Sequence, residues 1–164
     1  MRFFFVLAAA AMIAACSSSD GPTCSDYVQP ASFDTAKPVS FKNDIFTKIF
    51  PTSCAFVSCH GQEQGASNGV FLGGSDASKV RAGLVDQPSE ELPSMAKVKA
   101  GAPHESYLMR KIDGSNCVLS SQCVQTENTA QGDCGVTMPR NSPMLTADDQ
   151  DNVRRWILQG ALDN

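Results

Sequence analysis

Two cysteines and a histidine near the middle of the chain have the types and order needed to hold an iron porphyrin. Cys54 and Cys59 are followed at once by His60. Two thiols can add to the two vinyl groups of a haem, and an adjacent imidazole can ligate the iron from one face. The sequence therefore predicts that Cys54 and Cys59 attach a haem covalently and that His60 is an axial ligand of its iron.

The spacing of these cysteines limits which backbone conformation can lie between them. Four residues separate Cys54 from Cys59, whereas haem-attachment motifs usually follow the pattern Cys-x-x-Cys-His. Positions five apart on a regular α-helix are rotated by about 140° from each other. A regular helix cannot present both thiols to one porphyrin edge, so we expect the backbone to bulge or unwind locally between them.

The N-terminus has the features of an export signal with a lipid attachment site. Arg2 is followed by an apolar run about as long as the core of a secretory signal and too short to span a bilayer. The run ends in Ile13-Ala14-Ala15-Cys16, which resembles a bacterial lipobox. We therefore expect a lipoprotein signal peptide at residues 1–15, a lipidated Cys16 and a membrane-anchored chain that faces the periplasm. Ser17, rather than an aspartate, favours the outer membrane over the inner one. The alternative is a plain secreted protein cut after Ala15.

The mature chain has the size of one domain and an acidic balance. Removal of residues 1–15 leaves 164 − 15 = 149 residues, enough for one domain but not comfortably for two. Without Arg2 it has 12 lysines and arginines against 17 aspartates and glutamates, a net charge of −5. The sequence has no basic cluster, which argues against a nucleic-acid partner.

The number of cysteines limits how they can be used. The chain has seven, and thiols in an oxidising compartment pair unless they are otherwise employed. If Cys16 takes a lipid and Cys54 and Cys59 take a haem, an even number remains that closes two disulfides: Cys24, Cys117, Cys123 and Cys134. Parity therefore favours haem attachment through both or neither of the central cysteines. One of the last three cysteines should reach Cys24, and the other two should close a short loop.

Apolar periodicity predicts helices at both ends of the domain. A helical stripe from Phe41 to Phe50 follows Ser40, a suitable N-cap, and Pro51 should end this helix. The last helix should start after Thr146, with acidic residues in its first turn, and stop at Gly160.

Two shorter helices and several loops lie between these ends. One helix should follow Ser75 as its cap, and another should run from His104 to Ile112. The Gly- and Ser-rich stretch 61–74 and the stretch 87–93 have the composition of loops. Residues 113–136 hold three cysteines and almost no apolar periodicity, so we expect a disulfide-braced loop there.

Taken in chain order, these features resemble the cytochrome c family, and most closely the cytochrome c-like domains of exported bacterial proteins. The likeness covers residues 40–164 and includes Cys-His-Gly, Pro-x-x-Ser-Tyr-Leu, Met138-Pro139 and the final Trp-Ile-x-x-Gly-Ala. It implies an all-α, cytochrome c-like helical domain around one covalent haem c, with long loops and an insert at 113–137. Residues 16–39 would form a lipidated tether and an irregular arm. The resemblance also implies that Met138 is the second axial ligand of the iron, and that the first and last helices pack together.

Other residues could occupy the ligand positions. Three further methionines compete with Met138, and each has a simpler explanation: Met95 as a loop residue, Met109 in helix packing, and Met144 as the apolar residue ahead of the last helix cap. His104 is the only other histidine, and its place at a helix start is most often exposed.

These residues leave three functional interpretations. The leading one is a membrane-anchored c-type cytochrome that passes electrons to an unidentified redox partner protein, because His/Met coordination leaves no open site for a substrate. The second is a haem-free lipoprotein that acts as a binding or assembly module, with a small disulfide loop closed by Cys54 and Cys59. The third is a peroxidase-like haem enzyme, for which only His104 could supply acid–base chemistry. We therefore expect an electron carrier rather than an enzyme.

Overall fold

The computed structural model describes residues 24–164. The predicted signal peptide and the predicted lipidation site, Cys16, lie outside the described residues. Within residues 24–164, no helix is both long enough and apolar enough to cross a membrane.

Four α-helices in this part of the chain are joined by long irregular segments: α1 (Phe50–Ser53), α2 (Ala77–Ala82), α3 (Tyr107–Asp113) and α4 (Ala147–Leu158). A π-helical turn, Phe41–Phe46, precedes α1, and 3-10 helices lie at Ser67–Gly69, Pro103–Glu105 and Ser115–Gln122. Isolated β-bridges join Val85 to Val98, Pro88 to Ala96, and Ala96 to Ser106. These bridges fold the connection between α2 and α3 back on itself.

The predicted fold class, an all-α cytochrome c-like helical domain, is wrong. Helices of all kinds hold 35% and bridges 4% of the residues that the structure describes, and the arrangement is not plainly that of another class either. The physical reason lies in the connections, because glycine, proline and asparagine favour turns over helix. Gly65, Gly69 and Gly74, for example, all have positive φ angles, which interrupt any regular helix in the 61–74 stretch.

The first and last helical elements pack against each other as predicted, and they form the main core. The rings of Phe41 and Trp156 stack with their centroids 4.8 Å apart. Ile45 and Ile157 are fully buried in the same cluster. Cys54 packs against the edge of this cluster, so the core supports one end of the predicted haem-attachment sequence.

Three helix boundaries are confirmed. The Thr146 hydroxyl accepts a hydrogen bond from the Asp149 amide at 3.2 Å, which caps α4. Gly160, just past the end of α4, has a φ of 94°, a conformation that glycine adopts without steric cost. The Ser40 hydroxyl accepts from the Asn43 amide at 3.0 Å and caps the π-helical turn.

Two other boundaries differ from the prediction. Asp76, not Ser75, caps α2, because its carboxylate accepts a hydrogen bond from the Lys79 amide at 3.0 Å. Pro51 does not end the first helix but lies in the first turn of α1, where the missing N–H would have had no helical partner. The predicted single helix from Phe41 to Phe50 is therefore split into a π-helical turn and α1.

Two disulfides brace the described chain, as cysteine parity predicted. Cys24 pairs with Cys117, which ties the N-terminal arm to the domain. Cys123 pairs with Cys134 and closes a short loop within the insert. The insert is less irregular than predicted, since its first part is the 3-10 helix Ser115–Gln122.

The described part of the N-terminal arm, residues 24–39, lies against α3 and α4. Arg110 of α3 forms an ion pair with Asp26, and Arg154 Nε donates to the Tyr27 hydroxyl at 3.1 Å. The Arg154 guanidinium also lies 5.5 Å from the centroid of the Phe33 ring. The arm is irregular as predicted, but this portion of it belongs to the folded unit.

Candidate cofactor site

One cavity of about 400 Å³ brings together the four residues predicted to hold haem. Cys54, Cys59, His60 and Met138 all line it. Its volume lies within the range of about 300–1,000 Å³ that is typical of cofactor and ligand sites. Much of its wall is apolar: Phe56, Val70, Leu72, Leu84, Leu108, Ile112 and Val136.

The backbone between the two cysteines is not helical, which confirms the expectation drawn from their spacing. Helix α1 ends at Ser53, and Cys54 is its C-cap with φ −129° and ψ −42°. The chain then leaves the helix and makes a turn in which the Cys59 amide donates to the Phe56 carbonyl at 2.9 Å. This break lets both thiols line one cavity, while the Phe56 and Val57 side chains remain 49% and 70% exposed at the surface.

Two glycines allow the predicted haem-attachment sequence, Cys54–His60, to pack closely against the loop that follows it. A Cβ atom at Gly61 would lie 2.3 Å from the Ala55 carbonyl oxygen, and one at Gly73 would lie 2.4 Å from the Gly61 carbonyl oxygen. Both clashes are with main-chain atoms, which cannot move aside cheaply. The composition of the 61–74 stretch predicted a loop, but only the structure shows that these two positions require glycine.

Cys54 and Cys59 are unpaired, whereas every other cysteine among residues 24–164 forms a disulfide. The small disulfide loop expected of a haem-free chain is therefore absent from this part of the protein. Burial, with a smaller effect from the neighbouring Cys59, raises the pKa of the Cys54 thiol to about 12. In the folded chain without a cofactor, Cys54 is thus a neutral thiol at pH 7 and a weak nucleophile.

His60 is held in the tautomer that suits a metal ligand. Its Nδ1 lies 2.8 Å from the Val70 carbonyl oxygen, which can only accept, so Nδ1 bears the proton and Nε2 keeps a free lone pair. Histidines that ligate metals commonly donate their other ring N–H in this way. Burial lowers the pKa of His60, so the neutral imidazole needed for ligation is favoured.

Met138 is half-buried and reaches the cavity from a distant part of the sequence. Its amide donates to the Lys111 carbonyl at 2.8 Å, which attaches this segment to α3. Pro139 lines the same cavity beside it. The structure therefore brings Met138 to the same cavity as His60.

The competing ligands do not line this cavity. Met109 is fully buried in the core, as its predicted packing role requires, and Met95 packs against a second, smaller cluster. Met144 is 51% exposed and lines a neighbouring cavity of about 300 Å³. His104 is exposed, with its Nε2 3.2 Å from a carboxylate oxygen of Glu105.

A buried polar cluster on the cavity wall was not anticipated from the sequence. Glu91 Oε2 accepts a hydrogen bond from the Tyr107 hydroxyl at 2.8 Å and lies 3.6 Å from Lys111 Nζ. Burial raises the pKa of Tyr107 and lowers that of Lys111. No periodicity in the sequence marks Glu91 or Lys111 as buried, and charged residues are seldom found inside a protein.

No three His, Cys, Asp or Glu side chains between residues 24 and 164 come together in a way that could hold a bare metal ion. No family model, curated protein or solved structure gives a significant match to this chain. The interpretation of the cavity therefore depends on its own residues.

Proposed function

We propose that this protein is a c-type haem protein that carries electrons, with one haem attached through Cys54 and Cys59. The observation that supports this most strongly is which cysteines form disulfides and which stay free. Four of the six in the described chain form disulfides, and the two that remain free line one cavity together with His60 and Met138. Unpaired thiols in an oxidising compartment call for another use.

The cavity residues fit a haem in three respects. The two thiols can form thioether bonds, His60 offers Nε2 as a ligand, and Met138 offers a soft thioether sulfur. The apolar walls would exclude water from the site, which suits a largely hydrophobic ring. The break after α1 supplies the non-helical backbone that the long cysteine spacing requires.

Electron transfer accounts for this set of ligands better than catalysis does. When bound, the haem iron would exchange one electron between its ferrous and ferric states. If His60 and Met138 both held the iron, no coordination position would be left for a substrate, and the Met138 thioether would favour the ferrous state and raise the potential. A peroxidase would also need an acid–base group that is free to reach the substrate. His104, the only other histidine in the chain, is exposed outside the cavity, and Glu91 on the cavity wall is already bound to Tyr107 and paired with Lys111.

We further propose that Cys16 anchors the protein to a membrane, facing the periplasm, with the outer membrane favoured. The arm that leads to this cysteine is tied to the domain at Cys24, so the tether would consist of the seven residues between Cys16 and Cys24. The redox partner would be a protein that can reach the anchored domain. This anchor is tested by metabolic labelling with a radioactive fatty acid, which Cys16→Ser should abolish.

The test of covalent attachment is extraction of the denatured protein. The full chain is expressed with haem-maturation machinery, unfolded, and treated with acidic acetone. We expect the red colour to stay with the protein, and to be lost to the solvent or never acquired in the Cys54→Ser/Cys59→Ser variant. Colour that leaves the wild-type protein would contradict covalent attachment, and a wild-type protein that never acquires haem would contradict the proposal as a whole and favour a haem-free binding module.

A further inference from the structure

The segment that includes the proposed methionine ligand, Cys134–Met138, is fastened to α3 at both ends; we name it the ligand segment. At its start, the Cys134 carbonyl accepts a hydrogen bond from Lys111 Nζ at 2.6 Å. The Tyr107 hydroxyl lies 3.3 Å from the same carbonyl but donates its single proton to Glu91. At its end, the Met138 amide donates to the Lys111 carbonyl at 2.8 Å. Lys111 therefore contacts both ends of the ligand segment, with its ammonium at one and its main chain at the other.

Glu91 completes this arrangement. Its carboxylate lies 3.6 Å from the Lys111 ammonium, and the two side chains are only 7% and 8% exposed. Gly135 rests directly on the pair, since a Cβ atom there would lie 3.0 Å from Glu91 Oε1 and 3.3 Å from Lys111 Nζ. The main chain of the ligand segment thus runs in contact with a buried ion pair.

Stability alone is a poor explanation for such a pair. Removing two charges from water costs about as much as their attraction returns, and apolar residues of similar volume often stabilise a protein equally well. An apolar side chain could not, however, donate to the Cys134 carbonyl. The Cys123–Cys134 disulfide and the hydrogen bond from Asn116 Nδ2 to the Gly135 carbonyl at 2.8 Å also hold this segment. Among these contacts, the bond from Lys111 is the one that ties the Cys134 carbonyl to α3.

Building on the proposed function, we propose that Lys111 is a positioning residue for Met138. Its ammonium and its carbonyl hold Cys134 and Met138 at fixed places on α3, and this sets how far the Met138 side chain reaches into the cavity that His60 also lines. Lys111 acts through the ligand segment, not through its charge on the iron.

The test removes the ammonium without leaving an unpaired buried charge. Lys111→Met alone would leave the Glu91 carboxylate buried without its partner, so the variant to study is Lys111→Met/Glu91→Gln. We expect this protein to fold and to retain covalent haem. We expect the weak near-infrared sulfur-to-iron band of its ferric form to be diminished or lost, and its midpoint potential to fall. Lys79→Met is the matched control, because it also removes one lysine charge, but Lys79 lies outside the cavity and is paired with Glu63 at the surface; its band should be unchanged.

Several results would overturn the inference. One is an unchanged band and potential in the folded double variant. Another concerns Val153→Ala, a core variant away from the ligand segment. If this variant and the double variant lose equal amounts of stability and equal amounts of the band, the effect is one of general destabilisation and not of Lys111. Should the double variant not fold, Lys111→Arg keeps the charge and shifts the donor atoms, and an unchanged band there would also overturn it. If the wild-type protein lacks the band, Met138 is not a ligand of the iron and both proposals are wrong. The results for the Lys111 variants, in contrast, test only the role of Lys111.

Discussion

Replacement of both Cys24 and Cys117 by serine should remove much of the stability of the protein and leave the cavity intact. The bridge spans 93 residues, and a cross-link of that length restricts the unfolded chain by the equivalent of about 4.6 kcal/mol at 25 °C. The Cys123–Cys134 bridge spans 11 residues, for which the same relation gives about 2.8 kcal/mol. The longer bridge is therefore the larger constraint on the unfolded state.

The expected change in melting temperature follows from the entropy of unfolding, which is about 2.1 cal/mol/K per residue near 60 °C. The chain after the predicted signal peptide has 164 − 15 = 149 residues. Its unfolding entropy is then about 0.31 kcal/mol/K, so a loss of about 4.6 kcal/mol lowers the melting temperature by about 15 °C. Differential scanning calorimetry at fixed pH measures this fall directly.

The native arm should remain in place in this variant, because its other contacts do not depend on the bridge. Arg110 still pairs with Asp26, and Arg154 still contacts Tyr27 and Phe33. The loss should arise in the unfolded state, so haem content and the near-infrared band should match those of the wild type.

Two results would refute this reasoning. A fall of less than about 5 °C would mean that the bridge constrains the unfolded chain far less than its length requires. Peptide mapping without reduction that linked Cys24 to Cys54 or Cys59 would show a different pairing, and it would also remove the thiols assigned to haem.

Single substitutions test the ligand, the thiol and the core separately. Met138→Ala should abolish the near-infrared band of the ferric protein without releasing haem, and Met144→Ala should leave the band unchanged; the opposite pattern would identify Met144 as the ligand. In haem-free Cys59→Ser protein at pH 8, iodoacetamide should alkylate Cys54 more slowly in the folded than in the urea-unfolded chain. The ratio should be on the order of a hundredfold or more, because burial raises the thiol pKa to about 12; equal rates would show that the thiol is accessible and ionises normally. Trp156→Ala should lower the free energy of unfolding by about 3–5 kcal/mol in urea titrations, since the ring is 1% exposed, and a loss under about 1 kcal/mol would mean that the ring is not packed as described.

Features that depend on short-range chemistry could be predicted from the sequence. Thr146 caps α4 because its hydroxyl acts on an amide only three residues away. The disulfides followed from counting thiols, which requires no knowledge of the fold. The count predicted that Cys24 pairs with one of the three cysteines in the insert, but only the structure identifies that partner as Cys117.

Features that depend on long-range packing could be predicted only where a residue type is chemically distinctive. Cys54, Cys59 and His60 stand out because few other residues can bind haem. Glu91 and Lys111 do not stand out, because most glutamates and lysines lie at the surface. Glu91 and Lys111 are buried because the connection between α2 and α3 folds against the insert, and only the structure shows this packing.

The fold class could not be predicted because the helical stripes are too short to determine it. A helix of one or two turns gains little from its own hydrogen bonds and depends on the packing around it. The stripe before Pro51 shows this. Its apolar side chains are buried as predicted, but they are presented by a π-helical turn and α1 instead of by one continuous helix. Burial of an apolar face was the reliable inference, and the backbone conformation beneath it was not.

Cys24 skips the next two cysteines in the described chain, Cys54 and Cys59, and pairs with Cys117 beyond them. In a polypeptide that crosses a membrane N-terminus first, Cys24 meets both of these thiols in the oxidising compartment before Cys117 has emerged. Shorter loops close at lower entropic cost, so early oxidation would join Cys24 to one of these two thiols. If the chain is exported as proposed, the native pairing would require either that both thiols be occupied beforehand or that thiol–disulfide exchange correct the first bridges. Haem attachment would occupy both, and in that case the order of cysteines along the chain imposes an order of maturation in which thioether bonds precede disulfides.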